Sequence, residues 1–152
     1  MLTGMLPRVS VIIPTYNEEA RIEKCLKSIL KMYPKERLDI VVVDDGSTDN
    51  TIEISKEMGA RILHNGTKHI ERGKSIGLAN AKEEYVLFVD ADNEFKSSDW
   101  LKDAINIFME NKNLVGVQAG CFEYKRNDSL PNRYSSLFGA NDPLVFYLQR
   151  RG

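Results

Sequence analysis

The sequence predicts an α/β fold with a mostly parallel central sheet and helices on both faces, and three observations carry that expectation. Val9-Ser10-Val11-Ile12-Ile13 and Ile40-Val41-Val42-Val43 are short β-branched runs, nearly unbroken in apolar character, as in strands covered on both sides. Between them Ile22, Cys25, Leu26, Ile29 and Leu30 recur at helical spacing, with charges on the opposite face. Strand and helix patterns then keep alternating, which is the sequence of elements that builds parallel sheets.

Each element follows from a local signal. Asn17, followed by Glu18 and Glu19, is expected to cap the first helix and match its dipole. A second helix is expected from about Asp49 to Met58, opened by Ser47-Thr48-Asp49 and closed by Gly59. Arg61-Ile62-Leu63-His64 reads as the third strand. Asn65 to Arg72 is polar, contains Gly66 and reads as a loop; Gly73 to Lys82 then has weak helical spacing through Ile76, Ala79 and Asn80. Tyr85-Val86-Leu87-Phe88-Val89 is the fourth strand. Trp100, Leu101, Ala104, Ile105, Phe108 and Met109 mark an amphipathic helix begun near Ser97 or Ser98, and Val115-Gly116-Val117-Gln118-Ala119 follows as another strand. No internal repeat or low-complexity tract interrupts this order.

Composition narrows the function classes. The 152 residues suffice for one domain with a real core and not for two ordinary ones. With 42% hydrophobic and 28% charged residues and a formal net charge of -1, the chain has the balance of a soluble globular protein. That balance lacks the basic excess that neutralises phosphates, so nucleic acid is not an expected partner. Cys25 and Cys121 have no Cys or His at metal-ligand spacing, which predicts neither a disulfide frame nor a zinc site and fits the cytoplasm. Met1 to Pro7 lacks the features of a secretory signal, and no stretch approaches the roughly 18 to 20 apolar residues of a membrane span. After Leu144-Val145-Phe146-Tyr147-Leu148 the sequence stops at Gln149-Arg150-Arg151-Gly152 without an evident closing element, as a fragment would.

Open parallel sheets bind ligands beyond the carboxyl ends of their strands. Three such ends are expected to run into Pro14-Thr15-Tyr16-Asn17-Glu18, Asp44-Asp45-Gly46-Ser47 and Asp90-Ala91-Asp92. Carboxylates gathered on one rim repel one another unless a cation or hydrogen-bond donors compensate them. Mn²⁺ or Mg²⁺ is a natural compensator, because such hard ions take one or two carboxylates and fill the remaining positions with water and phosphate oxygens. Asp92 and Asp90 are the candidate ligands. Each motif also has a plain structural reading, as a turn or a helix start; their recurrence at three strand ends in order favours chemistry.

Those blocks, Val9 to Glu19, Val41 to Thr51 and Val86 to Asp92, resemble the three signature blocks of glycosyltransferase family 2 over roughly residues 8 to 110. The resemblance implies a Rossmann-like GT-A fold and an inverting glycosyltransferase that uses a nucleotide-diphosphate sugar, here a UDP- or GDP-sugar, with Mn²⁺ or Mg²⁺. It implies that Pro14, Tyr16 and Glu18 line the nucleotide pocket, Tyr16 stacking on or flanking the base. Asp45, with Asp44 beside it, would recognise the base edge. Asp90, next to Ala91, would face the ribose or sugar, and Asp92 would be the chief metal ligand. Relatives carry an Arg-Asn pair where this sequence has Gly73-Lys74-Ser75-Ile76-Gly77, so Lys74 is the candidate to reach the diphosphate or sugar. Residues 8–120 would form the nucleotide-sugar-binding part and 121–152 the start of an acceptor-side region, with Asp142 as candidate catalytic carboxylate.

The acceptor is open between a lipid-linked carrier, a polysaccharide and a small molecule, and the expected location is the cytoplasm, including its peripheral face at the inner membrane. Two other classes compete. An aspartyl-phosphate phosphatase would use the first Asp of an Asp-x-Asp block as nucleophile, but its block is usually followed by Gly-Thr or a similar hydroxyl pair, whereas Asn93-Glu94 follows Asp92. A non-catalytic nucleotide-sugar-binding module would bind donor tightly and transfer nothing. His64, His69, the Lys125-Arg126 pair and the Arg150-Arg151 pair are assigned no function.

Overall fold

A computed structural model of the chain describes residues 6–67, 69–111, 113–114, 116–118 and 146–150. The elements run β1 (Val9–Thr15), α1 (Ile22–Met32), a 3-10 turn (Lys35–Arg37), β2 (Leu38–Asp44), α2 (Thr51–Glu57), β3 (Arg61–His64), α3 (Ile70–Ala79), β4 (Tyr85–Val89), α4 (Trp100–Glu110), β5 (Val117–Gln118) and β6 (Phe146–Arg150). The sheet order is β3-β2-β1-β4-β6-β5. The first four strands are parallel, while β6 pairs antiparallel with both β4 and β5. The mostly parallel α/β expectation therefore holds.

Alternation along each strand explains the unbroken apolar runs. Val9, Val11 and Ile13 of β1, Ile40 and Val42 of β2, and Tyr85, Leu87 and Val89 of β4 face a core shared with α1 and α4, with Ile54 and Met58 of the α2 region at its margin. Ile12, Val41, Val43, Val86 and Phe88 face the other way, against Ile76 and Leu78 of α3. Helices thus cover both faces, and the strand positions between them are mostly apolar. Ser10 shows the exception: fully buried, its hydroxyl oxygen accepts the N–H groups of Lys82 and Glu83 at 3.1 and 3.2 Å.

Gly77 lets α3 approach β1. A Cβ there would stand 2.2 Å from Ile12 Cγ2, and one at Gly73, a turn earlier, would meet Pro14 Cβ at 3.2 Å. The helix therefore rests on the strand that leads to Pro14 and Tyr16.

Several boundaries differ from expectation. α3 begins at Ile70 rather than Gly73 and ends at Ala79. Glu71 and Arg72 in its first turn are exposed, and the Arg72 and Gly73 N–H groups donate to the His69 carbonyl, so composition made the turn look like loop. Asn17 does not cap α1: it lies at φ 52, five residues before Ile22, and Arg21 occupies the cap position without a side-chain bond. α2 closes as expected at Gly59 (φ 88), where the Gly59 N–H donates to Lys56 and the Ala60 N–H to Ser55, a paired C-terminal cap. β6 had no counterpart in the sequence reading; β5 takes Val117–Gln118 of the expected run, whose Val115 and Ala119 lie outside the described residues. Among the described residues, no helix is long and apolar enough to cross a membrane.

Candidate functional site

Strand register brings the chain exits to one level. Thr15 of β1 lies opposite Asp44 of β2, and Asp44 lies opposite His64 of β3, so three connections begin side by side. Across the other edge of β1, Ile12 pairs with Phe88, two residues short of Asp90. Between these exits lies a cavity of about 310 Å³, lined by Pro14, Thr15, Tyr16, Glu18, Val43, Asp45, Asn65, Asp90, Ala91 and Asp92. Tyr16 is half-exposed at the rim and Asp92 projects into solvent, while Val43 and Ala91 are buried.

The first two exit loops are laced together. The Asn17 N–H donates to Ser47 Oγ at 2.9 Å, and the Thr48 N–H donates back to Asn17 Oδ1 at 2.8 Å. The Glu18 N–H donates to Thr51 Oγ1 at 2.8 Å, the Glu19 N–H to Asp49 Oδ2 at 3.1 Å, and the Asn50 N–H to Glu19 Oε2 at 3.0 Å. Much of the polar character of both motifs is thereby used in fixing one loop against the other. Asp49 is held below the usual aspartate range: burial pushes it up, but hydrogen bonds from the Thr51 hydroxyl and from the Glu19 and Thr51 N–H groups outweigh that.

Asp44 and Asp45 divide their work. Adjacent residues leaving a strand point to opposite sides. Asp44, 1% exposed, accepts the Gly46 and Ser47 N–H groups at 2.9 and 3.1 Å and stabilises the turn in which Gly46 takes φ 87; it does not line the cavity. Asp45 does line it, and its Oδ1 accepts the Thr67 N–H at 3.1 Å. Asn65 beside it is held by donation from Nδ2 to the His69 carbonyl and by acceptance of the Thr67 hydroxyl, at 3.0 and 2.6 Å.

The acidic rim has an internal cation that the sequence did not single out. Arg21 Nη2 donates to Glu18 Oε1 at 3.1 Å; Arg21 Nε is 2.7 Å from Glu18 Oε2, close enough for charge pairing but misaligned for a hydrogen bond. Arg21 Nη1 stands 4.0 Å from Asp92 Oδ2. Burial pushes the Glu18 carboxyl above its ordinary value; the Arg21 charge and hydrogen bond oppose this, and Asp92 and Asp49 add to it. Burial, with Asp92, Asp90 and Glu18 nearby, also pushes the Cys25 thiol up to about 12. That thiol sits under the rim, 3.8 Å from the Asp90 carbonyl oxygen.

Among the described residues two buried polar side-chain oxygens have no hydrogen-bond partner: Thr15 Oγ1, in a residue only 6% exposed, and Glu18 Oε2, which the Arg21 charge faces at 2.7 Å. A buried polar atom left without a hydrogen bond is costly, and both atoms are enclosed beneath the surface of the cavity wall. The donor set also suits a hard cation that shares its shell with a ligand. Among the described residues no three His, Cys, Asp or Glu side chains gather to hold an ion alone, yet such ions need only one or two carboxylates when phosphate oxygens complete the shell. Asp92 is the accessible one, with Asp90 on the same wall.

Of the expected site residues, Pro14, Tyr16, Glu18, Asp45, Asp90, Ala91 and Asp92 line one cavity. Lys74 is not in its wall; the residue is 6% exposed in α3, with Nζ 3.5 Å from Glu71 Oε1. Asp142 and Cys121 fall outside the described residues. Thr15, Asn65 and Arg21 escaped the sequence reading. Arg21 had left a trace in its spacing of three from Glu18, whereas Asn65 lay in a stretch read as undistinguished loop.

The model of the family described as Glycosyl transferase family 2 matches residues 10–150. Glycosyltransferase AglE of Haloferax volcanii is 30% identical over 143 residues, covering 89% of this chain and 46% of that protein. Among solved structures, the mannosyltransferase PcManGT from Pyrobaculum calidifontis, in complex with GDP-Man and Mn²⁺, superposes with a TM-score of 0.74 at 26% identity, covering 95% of this chain and 45% of that one. Staphylococcus aureus TarS in complex with UDP-GlcNAc gives 0.66 at 29% identity, covering 94% and 45%. The chain therefore spans less than half the length of these relatives, and its fold is the GT-A type expected. The order of strand-end motifs, their convergence and these matches agree: the chain belongs to glycosyl transferase family 2.

Proposed function

We propose that the cavity binds a nucleotide-diphosphate sugar and that the protein to which these residues belong transfers its sugar, with inversion, to an acceptor hydroxyl. The observation that carries the reading is the convergence of three acidic strand ends on one cavity. The complexes of PcManGT with GDP-Man and Mn²⁺ and of TarS with UDP-GlcNAc support a UDP- or GDP-sugar as donor.

The roles are those that the resemblance to the family implies, and the position of each residue supports them in part. Tyr16, half-exposed at the rim, offers a ring face to the base, and Asp45 offers a carboxylate to the base edge. Asp90 addresses the ribose or sugar, and Asp92, with Asp90 in support, holds Mn²⁺ or Mg²⁺. When bound, such an ion neutralises charge on the departing diphosphate. Lys74 keeps a role toward the diphosphate only if its ammonium leaves Glu71. A carboxylate, assigned to Asp142, takes the proton of the acceptor hydroxyl as its oxygen bonds to the anomeric carbon and the bond to the nucleotide diphosphate breaks. The acceptor is a lipid-linked carrier, a polysaccharide or a small hydroxyl compound, and the location is cytoplasmic, including the inner face of the membrane.

The test is a thermal-shift panel of UDP, GDP and their sugars, with and without Mn²⁺. A ligand at about a hundred times its Kd adds about 2.7 kcal/mol, or roughly 5 to 11 °C for a chain of this size. The expected result is stabilisation by one nucleotide class that needs Mn²⁺ and disappears in Asp92→Ala. Equal shifts in wild type and variant would remove Asp92 from the site.

A further inference from the structure

We infer that Arg21 is the resident counter-cation of the acidic rim, a positioning residue that holds Glu18 and competes with the divalent ion for Asp92. This rests on the proposed use of Asp92 as an ion ligand. One guanidinium spans the end of β1 and the turn after β4, pairing with Glu18 at 2.7 and 3.1 Å and reaching within 4.0 Å of Asp92.

The placement is otherwise unfavourable. Arg21 immediately precedes the 11-residue helix α1, whose first N–H groups create a positive potential, and no side chain caps that end. A positive charge persists there because two carboxylates neutralise it, and the carboxylates tolerate each other because the guanidinium stands between them. Burial, which raises the Glu18 carboxyl above its ordinary value, is opposed chiefly by the Arg21 charge and hydrogen bond. Asp49 is the other carboxylate acting on Glu18, and its own oxygens are occupied by the loop bonds.

A divalent ion beside Asp92 would take over part of this neutralisation and would meet Arg21 as a like charge. Arg21 and Asp92 are 57% and 52% exposed at the side chain, so solvent screens the pair and the competition is modest. In protein saturated with the nucleoside diphosphate, UDP or GDP, that stabilises it, and after subtraction of the Mn²⁺ held by free nucleotide, Arg21→Gln is expected to bind Mn²⁺ roughly two- to fivefold more tightly than wild type, with the difference shrinking in added KCl. Arg21→Lys retains the charge and is expected to stay near wild type. Lys27→Gln removes an equal charge from the exposed Lys27–Glu23 pair on α1 and is expected to change nothing, which separates a local effect from net charge.

Free Mn²⁺ measured by electron paramagnetic resonance reads the affinity without any turnover. Unchanged or weaker binding by Arg21→Gln, with Asp92→Ala still abolishing it, overturns the role of Arg21 and leaves Asp92 as ligand. Equal tightening by Lys27→Gln overturns it as well. Mn²⁺ binding that survives Asp92→Ala, or its absence from wild type, removes the ion site and the inference together.

Discussion

Replacing Gly77 by Ala tests how closely α3 rests on the sheet beneath the cavity. The new Cβ would lie 2.2 Å from Ile12 Cγ2 and 3.3 Å from Ile12 Cβ and Cδ1. Carbon atoms in contact sit about 3.5 to 4.0 Å apart, so the partners must separate by about 1.5 Å. Ile12 cannot simply withdraw: it is fully buried, and β1 is hydrogen-bonded to β2 on one side and β4 on the other. The relief must come from an off-rotamer isoleucine or a displaced helix, at about 1 to 3 kcal/mol for such overpacking, here toward the upper end. Alanine returns about 1 kcal/mol through its better helix propensity, leaving a net loss of about 2 kcal/mol and a Tm lower by roughly 4 to 8 °C. Urea denaturation with an unchanged slope is the assay. Gly73→Ala, whose Cβ would meet Pro14 Cβ at 3.2 Å, serves as the near-neutral comparison. Ile12→Ala, costly alone, should cost less on the Gly77→Ala background by more than about 0.5 kcal/mol. A Gly77→Ala chain as stable as wild type, with additive effects in the double variant, would refute the close approach.

Two further outcomes follow from the acid groups and the buried thiol. The Asp49 carboxyl is depressed below its ordinary 3.8 in the folded state, so the folded chain binds fewer protons there; its contribution is complete above that value and is lost as pH falls through the folded value. The stability difference between wild type and Asp49→Asn should therefore shrink on acidification below about 3.8, measured by thermal unfolding across pH; a difference that grows instead would contradict the loop bonds. The Cys25 thiol, buried and pushed up to about 12, should resist iodoacetamide at pH 8 in the folded chain and react in denaturing urea, with peptide mass spectrometry separating it from Cys121. Prompt native-state labelling of Cys25 would show that the rim opens.

The parts of the fold that were legible are those set by short-range pattern. The unbroken runs of β1, β2 and β4 are apolar because α1 and α4 cover one face and α3 the other, and that burial is visible residue by residue. Gly59 closed α2 where expected because a left-handed cap is a local requirement. The start of α3 was missed because Glu71 and Arg72 are exposed and polar, as in a loop, and Asn17 was misread because its amide oxygen serves Thr48, 31 residues away, rather than the next helix. β6 was missed because its strand character depends on pairing with β4, more than fifty residues earlier in the chain.

The sequence by itself determined the α/β alternation, the parallel core strands and the three acidic exits, since hydrophobic period and turn residues are properties of neighbours along the chain. Only the tertiary structure decided that Asp45 faces the cavity while Asp44 serves the turn, and that Arg21 stands between Glu18 and Asp92. Those outcomes depend on the direction in which each side chain leaves its backbone and on which distant group it meets there. Both are set by the register and packing of several strands together.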